Sequence, residues 1–367
     1  MRATIEKQQL HRELGLVERV VERRTTIPVL AYVRMEVADG RVVFTGTDLD
    51  VSLRAGCEAE VTEPGVACLP ARKLGEIVRA LPDGPVIFEG DERHVTIRSG
   101  RARFRLAGME AENFPEVPTF SGEGVVFPAE GLGRAIERVI FATSFEESRY
   151  ALSGVQMEWW DGGFRLVATD GHRLALVDSA PVGSLARKAC LIPRKAMQEL
   201  LRLIEHAGEG DDVQFAHDAN HAYFRVGGRE LVSRLLTGQF PNYELVIPKE
   251  YAARARVDAG VFREVCRRVA TLADERVPGI TLSFSGGGVT LQARQGDEEA
   301  VEEMLCEYEG EPLVIAFNSE YVLDFLNVVR EGMVDIELKD AQSPALWRPS
   351  GEQYVYIVMP MRLMGTP

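Results

Sequence analysis

The sequence predicts an α+β protein made of three similar domains in a row, each with two helices packed on antiparallel sheets. Two observations carry that expectation. One passage recurs at intervals of about 120 residues, and each recurrence sits among the same succession of amphipathic helices and short alternating strands.

The recurring passage is Phe44-Thr45-Gly46-Thr47-Asp48-Leu49-Asp50, followed by Leu69-Pro70-Ala71-Arg72-Lys73-Leu74. It returns as Val167-Ala168-Thr169-Asp170-Gly171-His172-Arg173, followed by Ile192-Pro193-Arg194-Lys195-Ala196-Met197. A more divergent copy reads Leu291-Gln292-Ala293-Arg294-Gln295, then Ala316-Phe317-Asn318-Ser319-Glu320-Tyr321. Thr47 and Thr169 stand 122 residues apart, and Pro70 and Pro193 stand 123 apart. Solenoid repeats run to roughly 20–50 residues, so each copy is the size of a whole domain. Two proline signals, Phe114-Pro115-Glu116-Val117-Pro118 and Phe240-Pro241-Asn242-Tyr243, read as linkers because proline limits helices and central strands. The expected domains are therefore 1–120, 121–245 and 246–367.

Each domain offers two helices. The first opens at Thr4 as its N-cap and turns Leu10, Leu14, Val17 and Val21 to one face. The second starts at Pro70, with Leu74, Ile77, Val78 and Leu81 inward. In the central domain, Pro128 precedes Leu132, Ile136 and Val139, and Pro193 precedes Met197, Leu200, Leu201 and Ile204. In the third, Asp258 precedes Val261, Phe262, Val265 and Val269, while Asn318 precedes Val322, Phe325, Leu326 and Val329. Strands are expected at Arg41–Phe44, Val95–Arg98, Arg101–Leu106, Phe164–Ala168, Tyr223–Val226, Thr281–Phe284, Val289–Gln292 and Val355–Met359. Asp39-Gly40, Asp161-Gly162-Gly163 and Ser285-Gly286-Gly287-Gly288 read as hairpin turns, not phosphate loops.

The chain has 46% hydrophobic residues, which excludes a disordered class. No run of 18 apolar residues occurs and no apolar signal segment opens the chain, so the expectation is a cytoplasmic protein without membrane contact. Five scattered cysteines, without a C-x-x-C pair, predict neither a disulfide framework nor a zinc site. No metal and no cofactor is expected.

The net charge of −14 argues against nucleic acid only if it is evenly spread. It is not. The stretches 5–24, 70–81, 128–140, 193–206, 258–273 and 318–330 hold 17 basic and 13 acidic residues, a balance of +4 that leaves −18 elsewhere. Solvated helix faces often carry Arg and Lys, but here the sign separates by element type.

The run at 168–175 (Ala-Thr-Asp-Gly-His-Arg-Leu-Ala), Phe-Pro-Asn-Tyr at 240–243 and Val-Met-Pro-Met-Arg-Leu at 358–363 resemble the bacterial sliding clamp, the β subunit of DNA polymerase III. The resemblance covers about 1–363, including the triplicate order. It implies DNA-clamp domains in a head-to-tail homodimer forming a six-domain ring, with helices lining the hole and sheets outside. A closed ring is held on duplex DNA by topology, so weak, sequence-independent phosphate contacts suffice. The resemblance places Arg24, Arg149, Arg194 and Lys195 toward DNA. Helix position adds Arg72, Lys73, Arg134, Arg138, Arg202, Arg267 and Arg268. Tyr150 is a stacking candidate, and Ala151 stands where some relatives carry a second aromatic.

The resemblance further implies a partner pocket between the second and third domains. It maps to Leu152, Thr169, Gly171, His172, Arg173, Leu174, Pro241, Val246, Val277, Asn318, Tyr321, Ser343, Ile357, Val358, Met359, Pro360, Met361, Arg362 and Leu363. Such an apolar slot with a few polar groups suits short peptides with Gln, Leu and Phe anchors. The implied bearers are the replicative polymerase α subunit, the clamp loader and other proteins with clamp-binding motifs. Leu245 and Val277 depart from the family pattern and imply a less polar, roomier edge. Ring closure is expected from Phe104 and Leu106 against Thr271 and Leu272 of a second copy, with Arg103 and Arg105 facing Asp274, Glu275 or Glu303.

Catalysis is not expected. Asp170 and His172 lack a placed nucleophile or metal. His217-Asp218-Ala219-Asn220-His221 has metal-like spacing but reads as a polar hairpin. No G-x-x-x-x-G-K-[ST] occurs, so the chain is not itself a ring-opening ATPase. Trp159-Trp160 reads as sheet packing and the glutamates of 297–311 as an outer face. Two other readings stay open at this point: a three-domain peptide-binding scaffold that never encircles DNA, and a small-molecule enzyme using the same pocket.

Overall fold

A period of two governs the first residues. Ala3 and Ile5 are buried while Arg2 and Glu6 are exposed, so Arg2–Glu6 is a strand. Thr4 pairs with Glu60 and Ile87 across the sheet instead of capping a helix. Helix α1 (Lys7–Val20) starts three residues later, without a side-chain cap; the expected cap at Thr4 is corrected by this alternation. The computed structural model describes residues 1–22, 25–120, 124–160, 163–179, 188–208 and 210–362.

The other helices follow the expected starts. They are α2 (Ala71–Ala80), α3 (Ala129–Ile140), α4 (Arg194–Glu205), α5 (Ala259–Ala270) and α6 (Ser319–Val329). Two have side-chain caps. Asp258 Oδ1 accepts from the Val261 N–H at 2.8 Å, and Asn318 Oδ1 accepts from Glu320 at 2.8 Å and Tyr321 at 3.4 Å. Each satisfies N–H groups that a first helical turn leaves unpaired.

The chain divides into two compact units, 1–133 with 195–235 and 134–194 with 236–367. Every strand pairing among the described residues is antiparallel, as expected. The first unit holds a five-stranded sheet in the order Glu60–Glu63, Arg2–Glu6, Pro85–Gly90, His94–Ser99, Ala102–Ala107. Its eight-stranded sheet runs Val125–Pro128, Asp212–His217, His221–Val226, Arg229–Arg234, Val51–Glu58, Arg41–Thr47, Tyr32–Ala38, Gly65–Pro70. Asp39 and Gly40 join two of these strands with φ of 50° and 71°, the left-handed pair that a tight hairpin requires. Leu10, Leu14, Val17 and Val20 of α1 are buried, and the helix packs on Val51–Glu58 and Arg41–Thr47.

The second unit holds a nine-stranded sheet in the order Lys188–Pro193, Gly154–Trp160, Gly163–Thr169, Arg173–Ser179, Tyr354–Val358, Ala345–Pro349, Met333–Leu338, Ala253–Asp258, Glu307–Glu309. Its four-stranded sheet runs Glu298–Leu305, Gly288–Gln295, Gly279–Ser285, Leu313–Asn318. Ser285 pairs with Gly288, confirming the Gly286-Gly287 hairpin; Asp161 and Gly162 lie outside the described residues. Trp347 centres an aromatic core, with Phe262 stacked at 5.7 Å and Phe317 and Phe325 edge-on at 5.7 Å. Trp159 is buried, and the Arg165 guanidinium lies 5.9 Å from the Trp160 ring.

The sheets do not respect the repeat. Strands of the central repeat are shared out, four joining the first repeat's sheet and four joining the third's.

Candidate functional site

The two best copies of the repeat fold into the same turn. Thr169 Oγ1 donates to the Arg173 carbonyl at 2.6 Å and accepts from the Gly171 N–H at 3.1 Å. Asp170 Oδ1 accepts from the His172 and Arg173 N–H groups at 2.9 and 3.0 Å. In the first domain Thr47 reaches the Val51 carbonyl at 3.2 Å and the Leu49 N–H at 3.0 Å. Asp48 Oδ1 accepts from Asp50 and Val51 at 3.0 and 2.7 Å. Each threonine and aspartate satisfies turn N–H groups that no strand partner reaches, which explains these residue types at that spacing.

In the second unit this turn borders the strand Tyr354–Val358 and the tail that follows it. Leu174 pairs with Ile357 and Arg173 with Val358. Beyond that strand, Met359 N–H donates to the His172 carbonyl at 2.9 Å and Met361 N–H to the Ala316 carbonyl at 2.7 Å. The tail is thus stitched to both the turn and the strand before α6. Val167, Leu174, Leu176, Tyr243 and Ile357 form a buried apolar cluster here, with Phe240 and Ile247 packed against it. Met359, Val246 and Val277 are exposed apolar residues, and Gly171, His172, Pro241 and Arg362 are exposed beside them. Leu152, Pro360 and Met361 are half-buried. Ser343 is held in its own turn by Asp340, Oγ to Oδ2 at 2.8 Å. Leu363 lies outside the described residues.

Arg173 is not a rim residue. Its Nε donates to Asp170 at 3.0 Å, Nη1 to Asp324 at 2.6 Å and Nη2 to the Phe141 carbonyl at 2.8 Å. The Tyr321 ring lies 4.2 Å below it, and Tyr356 Oη in turn donates to the Tyr321 carbonyl at 2.9 Å. The guanidinium therefore joins the turn, the end of α3 and α6. Asp324, Phe141 and Tyr356 escape sequence reading because nothing local marks them; only their meeting at Arg173 does.

The cationic candidates differ in how free they are. Arg24 lies outside the described residues. Lys73 is exposed and makes no ion pair among the described residues. Arg134 is exposed on α3. Arg72 pairs with Glu76 at 2.8 Å, Arg202 with Glu199, and Arg267 with Glu264 at 3.3 Å. Arg268 grips Glu302 through two bonds of 2.9 and 2.6 Å. Arg138 is half-buried, paired with Glu352 and 5.3 Å from the Tyr354 ring. Lys195 is engaged by Asp48 and, at 3.2 Å, by the Val20 carbonyl. Arg149 donates to the Asp170 carbonyl at 2.8 Å and pairs with Glu146 at 3.0 Å, beside exposed Tyr150. Arg194 lies 3.7 Å from the ring of Phe145, which is 78% exposed and which the sequence did not single out. Burial, then the charge of Arg173, lowers the pKa of Arg194 from its usual value.

Among the described residues no group of three His, Cys, Asp or Glu is placed to hold a metal. The 217–221 segment is a hairpin in which Asp218 Oδ1 accepts from Asn220 and His221 at 2.7 and 2.8 Å. All five cysteines are free. Burial raises the Cys57 and Cys68 thiols to about 11 and the Cys190 and Cys266 thiols to about 12, so they stay protonated and inert. Hollows of about 640 and 390 Å³ lie by Thr4–Glu6 and along α5. Peptide grooves are open, so an enclosed volume is a poor guide to one. Among the described residues no helix is long and apolar enough to cross a membrane.

Three α+β repeats, with sheets shared between neighbours and the same Thr-Asp turn in the first two, together define a DNA-clamp protein. The comparisons with known proteins agree. Family models for the N-terminal, central and C-terminal domains of the DNA polymerase III beta subunit match residues 1–118, 127–242 and 244–362. The beta sliding clamp of Caulobacter vibrioides is 36% identical over 99% of this chain and 100% of its own length. That of Pseudomonas putida is 38% identical and that of Escherichia coli 34%, at the same coverage. Among solved structures, the Pseudomonas aeruginosa clamp bound to griselimycin superposes with a TM-score of 0.94 at 37% identity, covering 99% of this chain and 100% of that one. The Thermotoga maritima beta subunit gives 0.91 at 28% identity, covering 99% of each chain. The chain belongs to the bacterial sliding clamp family, the β subunit of DNA polymerase III.

Proposed function

We propose that this chain is the processivity factor of a replicative DNA polymerase: two copies close a ring around duplex DNA, slide along it and tether the polymerase. The full-length match of all three clamp domains, in order, carries this reading. The chain acts as an accessory subunit without chemistry of its own, working in the cytoplasm. Its three domains are those at 1–120, 121–245 and 246–367.

Ring closure joins two unpaired sheet edges. Ala102–Ala107 ends the five-stranded sheet and Glu298–Leu305 ends the four-stranded one. The first carries Arg103 and Arg105, both exposed; the second carries Glu298, Glu299 and Glu303, also exposed. Antiparallel pairing between copies satisfies both rows of backbone groups and sets opposite charges face to face. Phe104 then packs toward Thr271 and Leu272, while Leu106, only 8% exposed, supports it from within. The acidic strand, read from sequence as a solvated face, is thereby given a partner.

DNA contact is weak by construction. Arg72, Arg202, Arg267 and Arg268 already hold carboxylates, so a phosphate must compete for each guanidinium. Contacts of that kind exchange readily, which suits a ring retained by topology. The groove at 169–174 and 357–362 receives peptides of the polymerase α subunit, the clamp loader and other clamp-binding proteins. Its floor is apolar and its rim carries a methionine, a wall that adapts to several ligands.

The test is retention on DNA after loading by a clamp loader. A ring stays on closed circles and runs off once they are cut; equal loss from both forms sinks the reading. A scaffold that never encircles DNA is not favoured by any feature described above.

A further inference from the structure

Among the described residues, one side chain ties the linker after the central domain to the rest of the chain by hydrogen bonds. From Thr237 to Tyr251, among the described residues, the backbone makes no hydrogen bond outside the segment; the nearest are Leu236 N–H to the Leu191 carbonyl at 2.9 Å and Ala252 N–H to the Leu338 carbonyl at 2.8 Å. Among the described residues, the Tyr243 hydroxyl is the one side-chain group of the segment that hydrogen-bonds to the rest of the chain, while Phe240 and Ile247 reach it by apolar packing. The hydroxyl donates to Glu158 Oε1 at 2.9 Å and accepts from Arg165 Nη1 at 3.2 Å. Arg165 is itself fixed by a two-pronged pair with Asp178, at 2.6 and 2.8 Å. Tyr243 and Glu158 are both 7% exposed, so neither has water as an easy substitute partner.

This segment carries Pro241 and Val246, one wall of the peptide groove. The ring of Tyr243 belongs to the groove floor with Leu174 and Ile357, and Phe240 meets it edge-on at 6.3 Å. The earlier linker has no such pin: 126 residues upstream, Val117 occupies the corresponding place in Phe114-Pro115-Glu116-Val117. A phenol tied into a charged network is thus specific to the linker that borders the groove.

We infer that Tyr243, held by Glu158 and Arg165, is a positioning residue that sets the place of the 240–247 wall and thereby the affinity of the groove for peptides. Its hydroxyl is bonded into the sheet network through Glu158 and Arg165. Beyond the pin, Ile247 packs on the same cluster and Leu245 is 80% exposed. The inference rests on the groove being the peptide site.

The test uses the full-length protein and a fluorescent synthetic peptide with Gln, Leu and Phe anchors. Tyr243→Phe keeps the ring in the floor and removes only the pin. It is expected to weaken peptide binding about tenfold, the effect of one lost hydrogen bond to a charged group. Glu158→Ala, a substitution on the far side of the network, is expected to do the same, while Glu158→Gln, still an acceptor, retains most of the affinity. Limited trypsin digestion supplies a readout that a general loss of stability would not give: cleavage after Lys249 should accelerate in Tyr243→Phe while other sites keep their rates. Wild-type protein that fails to bind the peptide overturns the groove reading itself. Wild-type binding with unchanged affinity and unchanged Lys249 cleavage in both Tyr243→Phe and Glu158→Ala overturns the positioning role alone. Uniformly faster cleavage at all sites also overturns it, since the pin would then serve only global stability.

Discussion

Arg229 and Glu13 meet in a two-pronged ion pair, Nε to Oε2 at 2.7 Å and Nη2 to Oε1 at 2.8 Å, with side chains only 8% and 3% exposed. Glu13 lies on α1 of the first repeat and Arg229 opens a strand of the second. The Arg229 Nη1 also donates to the His206 carbonyl at 3.1 Å, and Arg12 adds a bond to Glu13 at 2.7 Å. The other compact unit solves the same place differently. Val232 pairs with Ser52 where Ile357 pairs with Leu174, which aligns Arg229 with Tyr354. The buried faces of α1 and α3 align Glu13 with Ala135. The first unit places a charge pair at these two positions, and the second a buried tyrosine and a buried alanine.

Breaking the pair from either side leaves a buried charge alone, at a cost of roughly 3–5 kcal/mol. Glu13→Ala and Arg229→Ala should each lose that much in urea unfolding, whereas the double change Glu13→Ala with Arg229→Tyr should regain most of it. A single variant as stable as wild type refutes this. The pair also sets an acid limit. Burial pushes the Glu13 pKa up, but hydrogen bonds and charge from Arg229 and Arg12 outweigh it and hold the carboxyl below its usual 4.5. A carboxyl lowered in the folded state contributes stability above its unfolded value and loses it as pH falls through the folded one. Wild type should therefore weaken below about pH 4.5 more steeply than Glu13→Gln.

Leu49 and Gly171 occupy the same turn position with φ of 79° and 90°, yet only one is glycine. A left-handed backbone costs a side-chain-bearing residue about 1–2 kcal/mol. Leu49 is 47% exposed and gives up little contact, so Leu49→Gly should raise stability by roughly 1 kcal/mol. Gly171→Ala should lower it by a similar amount or more, because its new Cβ would stand 2.9 Å from Arg149 Nη1. Thermal unfolding of the two variants in opposite directions is the expected result; shifts of the same sign refute it.

Ring closure through opposite charges predicts rescue. Arg103→Glu with Arg105→Glu should shift the protein toward a 40.7 kDa protomer in sedimentation. Adding Glu299→Arg and Glu303→Arg should restore the dimer. Continued monomer in the fourfold variant would rule out pairing of these two strands in that register.

Salt dependence separates free from engaged cations. Each phosphate contact contributes about one unit of log–log slope in binding duplex DNA. Lys73→Ala should remove close to that, whereas Lys195→Ala should remove less, since Asp48 and Val20 already hold its ammonium. The reverse order would show that Lys195 abandons these partners on DNA.

Much of this architecture is legible because it is local or repeated. Asp258 and Asn318 mark their helices by chemistry that acts within one turn, and the Thr-Asp turns announce themselves twice. The start of α1 is ambiguous in the sequence because Thr4 satisfies the rule for a cap while the alternation of Ala3 and Ile5, only two residues long, carries the opposite message. The sharing of strands between repeats was invisible, since a strand's sequence does not name its neighbour. The contacts of Arg173 with Asp324 and Phe141 and the Glu158–Tyr243–Arg165 chain are not legible in the sequence, because they join residues 32 to 151 positions apart. Arg173 is likewise bound to Asp170, Asp324 and the Phe141 carbonyl, partners its own sequence neighbourhood only half reveals.

Because the central repeat lends its strands to both sides, evolutionary copies and mechanical parts are different objects in this chain. Stopping translation near residue 120 would strip the strand Val51–Glu58 of its neighbour Arg229–Arg234 and bare a ladder edge in mid-sheet. Domain-swapping between relatives should accordingly tolerate seams within α3 and at the head of α4, where the two compact units divide, better than seams at the prolines that separate one ancestral copy from the next.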